Sequence, residues 1–98
     1  MKVDNGTVSD KAWGDVDKSA LGNKLDDAYR SGEASKALIR EAYAFVPDDA
    51  FGSNDEGKTF SHSKAWGPHH EIRGNALILN RNGVHAAAAA AAGARSEP

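Results

Sequence analysis

The chain contains no cysteine, so neither a disulfide framework nor a thiolate zinc site can hold it together, and any metal would have to be bound by His, Asp or Glu. Long apolar runs are missing too. The only extended one, residues 84–92, is mostly alanine and is interrupted by His85; it is too short and too weakly hydrophobic to cross a bilayer. Met1-Lys2 leads into polar residues rather than an apolar segment, so no secretory signal is read and the default expectation is a soluble protein made in the cytoplasm. Neither sign of charge dominates. Twelve basic residues against 14 acidic ones give a net charge of −2, a field with no general attraction for a polyanion, so nucleic-acid binding finds no support in the charge balance. No glycine-rich phosphate loop precedes a helix.

At 98 residues the chain is long enough for one domain with one small core and a thin stability margin. Residues 1–12 show no sustained period and contain the turn-forming Asn5-Gly6, so they are expected to be an extended or mobile arm, able to act as a tether. Trp13 then offers an aromatic anchor, and Asp17 is placed to cap a helix over 18–30, where Leu21, Leu25, Ala28 and Tyr29 recur at helical spacing. Ser31-Gly32 closes that helix and opens the next. Ala34, Leu38, Ala42 and Phe45 form the clearest amphipathic pattern, which Val46-Pro47 ends because the residue before proline avoids the α region. Asp48-Asp49-Ala50-Phe51 can add one more turn, residues 52–57 read as a flexible loop, and Lys58 to Trp66 alternate well enough for a strand.

Glu71-Ile72, Arg73-Gly74-Asn75 and residues 76–79 have the form of a β-hairpin around a glycine turn. Asn82 is placed to cap an alanine-rich helix running to 92, with Gly93 as its C′ residue and Arg95 near the negative end of its dipole. Such a helix packs closely against another element or another subunit. Ser96-Glu97-Pro98, following directly on it, reads as an ending cut short or completed by a partner. The expected fold is therefore α+β: a helical hairpin (18–45), a small antiparallel β-hairpin (67–80) and an alanine-rich C-terminal helix, with 13–95 as the domain and 96–98 as a tail.

Three of the four histidines fall within residues 66–93. His69 and His70, a turn, a second strand, then Asn80 and His85 repeat the order of the ββα-metal (HNH) nuclease unit, in which a strand histidine activates water, an asparagine orients it and a divalent metal stabilises phosphate charge. On that reading His70 is the base and Asn80 the orienter, with His62, His69, His70, His85 and Glu71 supplying ligands for Zn or Mg. The other reading makes Pro68-His69-His70 a structural turn, one ring covering Trp66 and another bonded to backbone. Arg73 and Arg81 offer a small basic face for phosphate, or simply carboxylate partners. Trp13 and Trp66 are candidate interface anchors, with burial in the core as the alternative. Ser61-His62-Ser63 makes no nucleophile and base pair, since neighbours on a strand point in unrelated directions.

Residues 79–95, Leu-Asn-Arg-Asn-Gly-Val-His followed by seven alanines and Gly-Ala-Arg, preceded by Trp66-Gly-Pro-His-His-Glu71, resemble a small domain of tailed-phage head-morphogenesis proteins, often beside or fused to the prohead maturation protease. The resemblance covers about the last third of the chain, with weaker similarity in 34–51. It implies a non-enzymatic head or virion accessory protein that works through contacts with capsid or head-morphogenesis proteins, in the host cytoplasm and in the virion, with homo-oligomers open to it. No protease catalytic set is present, so protease activity does not carry over. Two alternatives remain: the ββα nuclease or DNA-binding module, and a small phage-encoded regulator or inhibitor that occludes a partner.

Overall fold

The computed structural model describes residues 1–96, without the side chains of 93–96. The fold is α+β, as the sequence implies. Strand β1 (Lys2–Ser9) precedes a short 3-10 turn at Trp13–Asp15, then helices α1 (Lys18–Ser31) and α2 (Lys36–Glu41). Strand β2 (Tyr43–Phe45) follows, then the ribbon of β3 (Phe51–Asn54) and β4 (Gly57–Phe60), a turn at His62–Lys64, and β5 (Trp66–Pro68). Strands β6 (His70–Arg73) and β7 (Ala76–Asn80) lead directly into helix α3 (Arg81–Ser96).

Capping chemistry sets the helix boundaries. The Asp17 carboxylate accepts the Ala20 N–H at 2.9 Å, as its position predicts. Gly32, at φ 85°, takes the left-handed conformation that ends α1, and its N–H returns to Ala28 and Tyr29. Ser35, rather than Ser31 or Gly32, caps α2 by accepting from Leu38 N–H.

Three sheets result. The largest has the order β1-β7-β6, while β2 pairs with β5 and β3 with β4. The expected hairpin is present, closed by the Arg73–Ala76 pair around Gly74-Asn75. Of the two turn residues only Gly74 has positive φ, 57°, which places glycine at the first central position of a II′-type turn. The core joins α1, α2 and the sheet through Leu25, Ile39 and Leu77, all fully buried. Beside it Tyr29, Phe51, Phe60 and Tyr43 form a chain of ring contacts at 5.4 to 5.9 Å.

Six expectations need correction. Residues 1–12 are extended, but 2–9 are no free arm: β1 pairs in parallel with β7, because Val3 and the N-terminal backbone find partners at the opposite end of the chain. The helical hairpin stops at Glu41, where Tyr43–Phe45 leaves the helix to pair with β5; aromatic residues suit a pleated surface once a partner strand exists. The loop expected at 52–57 is the tip of the β3–β4 ribbon, with Asn54 turning the chain by accepting from Glu56 N–H. The strand expected over 58–66 ends at Phe60 and resumes at Trp66 after the His62–Lys64 turn. Asn80, not Asn82, caps α3, and the helix passes through Gly93 to Ser96 instead of ending before it. The Arg95 side chain and residues 97–98 lie outside the described residues.

Candidate functional site

The β1 strand is interrupted where Asn5-Gly6-Thr7 loops out between two successive partners: Asp4 stands opposite Ile78 and Val8 opposite Leu79. The Asp4 carboxylate holds this bulge by accepting from Gly6 N–H at 3.0 Å and from the Thr7 hydroxyl at 3.1 Å. Bulges re-aim side chains and locally end pairing. This one opens a cleft of about 290 Å³ lined by Asp4, Thr7, Glu41, His69, His70 and Leu79 among others.

Within the cleft, Nδ1 of His69 and Nδ1 of His70 are 2.7 Å apart, so one ring donates and the other accepts. Backbone bonds fix the pair: His69 N–H donates to Ala42 carbonyl and His69 carbonyl accepts from Asn80 N–H. Burial, together with the neighbouring His69, pushes the His70 imidazole down to about 4. Burial also lowers His69, opposed by a backbone hydrogen bond to Tyr43 and by the charge of Glu41. Both rings are therefore neutral at pH 7. The pair can pass a proton or hold one between its rings. Burial likewise raises the Tyr43 hydroxyl to about 12, leaving it a neutral phenol.

A second polar group lies on the other side of the hairpin. Asn80 is fully buried. Its Oδ1 accepts the Gly83 N–H at 2.8 Å, capping α3, while its Nδ2 donates to Glu71 Oε2 at 2.8 Å and to Lys11 carbonyl at 3.0 Å. Arg73 donates to Glu71 and to the Ser9 hydroxyl. Burial raises the Glu71 carboxyl, but hydrogen bonds from Asn80 and Ser9 and the charge of Arg73 outweigh it and hold the group below its ordinary range. Every Asn80 polar atom is engaged in architecture.

The remaining sequence candidates separate in space. His62 packs against Gly22 of α1, and His85 is exposed on α3. Neither belongs with the His69–His70 pair, and among the described residues no group of three or more His, Asp or Glu is arranged to hold a metal ion. Arg81 pairs with Asp10 at 3.3 Å, and Arg73 with Glu71 at 3.1 Å. Trp13 is half-buried, lying over Gly83 with Lys18 Nζ 5.0 Å from its ring centroid.

Trp66 behaves differently. It is 40% exposed and lies across β2–β5 from Phe45, itself 50% exposed, with ring centroids 6.1 Å apart. Sequence reasoning assigned Phe45 to a helix face and so missed this pair; alternation of Tyr43 and Phe45 about Ala44 was the available signal. Helix α3 packs on β5 through Ala87, which lies against Gly67, while Gly83 lies against Trp13 and His69; Val84, Ala88, Ala89 and Ala92 are left exposed.

No family model, curated protein or solved structure matches this chain.

Proposed function

We propose that this protein is a non-enzymatic accessory component of phage heads, acting through protein contacts during capsid assembly in the host cytoplasm and within the virion. The observation that carries the reading is the side-by-side exposure of Phe45 and Trp66. A small domain with only seven aromatic residues gains little in stability from leaving two of its largest side chains about half exposed, whereas aromatic residues are the common anchors of protein interfaces. The adjoining helix adds a smooth, small-residue surface. Asn80, the orienter in the nuclease reading, is consumed by the α3 cap and the Glu71 contact, which leaves that reading less support.

The test is co-sedimentation of the purified protein with phage capsid shells, alongside Phe45→Ala and Trp66→Ala. Retention of the parent protein and loss of both variants supports the proposal. Equal retention of variants and parent, or no retention at all, overturns it. Incubation with supercoiled plasmid in Mg²⁺ or Zn²⁺ separates the nuclease reading, since cleavage abolished by His70→Ala is an outcome that an assembly component does not produce. Among the described residues no helix is long and apolar enough to cross a membrane.

A further inference from the structure

Strand β6 is an edge of the three-stranded sheet. Because the Arg73–Ala76 pair closes a two-residue turn, it exchanges both hydrogen bonds, and the alternation of an antiparallel ladder then turns the N–H and C=O of Ile72 away from β7. Neither group finds a backbone partner elsewhere among the described residues. The opposite edge of β7 is taken by β1 at Leu77, so on the β6 side the sheet is left open at Ile72 and, next to it on the same edge, at the buried His70.

Two cavities flank that position, both floored by Ile72 and both walled by α1. One, of about 200 Å³, carries Lys11 and Lys24 with Leu21 and Ala20; the other, of about 390 Å³, carries Ala28 and Gly74, shares Lys24, and is also lined by Glu33 and by Asp27, which pairs with Arg30. Two carboxylates border the first cavity, and both are already engaged: Asp17 accepts from Ala20 N–H, and Glu71 is held by Asn80 and Arg73. Lys11 and Lys24 form no ion pair among the described residues.

We propose that the groove between α1 and β6 binds an extended peptide segment of a protein partner as an added strand, with an acidic side chain of that segment between Lys11 and Lys24. A strand is the occupant because only an extended backbone offers a donor and an acceptor in the spacing that the Ile72 edge presents. The acid follows from the two unpaired ammonium groups. The side chain two residues along falls on the same face and enters the second cavity. The site is separate from Phe45 and Trp66 and does not depend on the assembly reading.

The experiment uses the full chain and two probe peptides, acetyl-Thr-Val-Glu-Val-Thr-amide and its counterpart with lysine in place of glutamate. Amide exchange and binding are followed by NMR. The glutamate peptide is expected to slow exchange at Ile72 at least tenfold and to bind at least tenfold more tightly than the lysine peptide, and Lys11→Glu with Lys24→Glu to reverse that preference. Trp66→Ala is expected to leave peptide binding unchanged, so failure here and failure of the capsid reading are distinct results. The proposal is overturned if Ile72 is already as protected as Leu77 in the free protein, if the glutamate peptide leaves Ile72 exchange unaltered, or if both peptides bind equally.

Discussion

Nδ1 of His69 and Nδ1 of His70 approach to 2.7 Å, a contact that tolerates one shared proton and excludes two. Burial and mutual repulsion together keep the pair from becoming doubly charged, and the pair stands where α2, β5, β6 and the start of α3 meet.

Stability should therefore fall as the solution is acidified. His70 has a folded value of about 4 against an ordinary 6.5, so its contribution is complete above pH 6.5 and is lost progressively between pH 6.5 and 4, as the unfolded chain takes up a proton that the native state refuses. The loss from His70 amounts to about 3 kcal/mol. Urea denaturation at intervals across this range measures it, with His70→Asn as the control; that variant does not titrate, and its pH profile should be flatter than the parent's by most of that amount.

Asn80 provides a second test. Removing it leaves the Gly83 N–H uncapped and takes a donor from the buried Glu71 carboxylate, so Asn80→Ala is expected to cost about 2–4 kcal/mol. Asn80→Asp keeps the cap but sets one carboxylate against another, and should raise the Glu71 carboxyl above its ordinary range. Urea denaturation checks the first, and carboxyl NMR titration of Glu71 the second.

Gly22 lies inside α1, where alanine is ordinarily better by about 1 kcal/mol. Here a Cβ would stand 2.2 Å from Cγ and 2.7 Å from Cβ of His62, close to the root of that side chain where rotation cannot relieve the clash. Gly22→Ala is expected to destabilise by about 1–3 kcal/mol. Paired with His62→Gly, which removes the Cβ as well as the ring, the same change should become neutral or favourable, and a double-mutant cycle by chemical denaturation reads the difference.

Phe45→Ala should cost less than about 1 kcal/mol in stability, since the ring is half in water. Phe60→Ala, which removes a ring that is 3% exposed and contacts both Tyr43 and Phe51, is expected to cost about 3–5 kcal/mol. Thermal unfolding of the two variants side by side tests the division between surface and core aromatics.

Local signals were sufficient for α1, its Asp17 cap, the Gly74 hairpin and the existence of α3. Each rests on contacts between residues close in sequence: a four-residue period, a side chain reaching three residues ahead, a glycine in a two-residue turn. They were insufficient for β1, which pairs with β7 across the length of the chain, and for β2, whose three residues become a strand only because β5 lies beside them. The histidine cluster was half legible. His69 and His70 do meet, but the order along the chain that brought His85 into the same motif says nothing of which face of α3 it occupies, and packing on Gly83 and Ala87 turned it outward.

Composition and spacing by themselves determined that disulfides and cysteine-bound zinc are excluded, that the fold mixes helices with short strands, and where the principal caps and tight turns fall. Tertiary structure alone decided which polar groups share an environment: that Asn80 serves a helix cap, that Arg73 and Arg81 answer to carboxylates, and that Phe45 and Trp66 face water together. The reason lies in range. Dihedral preference and capping act over a few residues, whereas the burial, charge and hydrogen-bond partners of a side chain depend on elements that only the closed fold brings within a few ångströms of it.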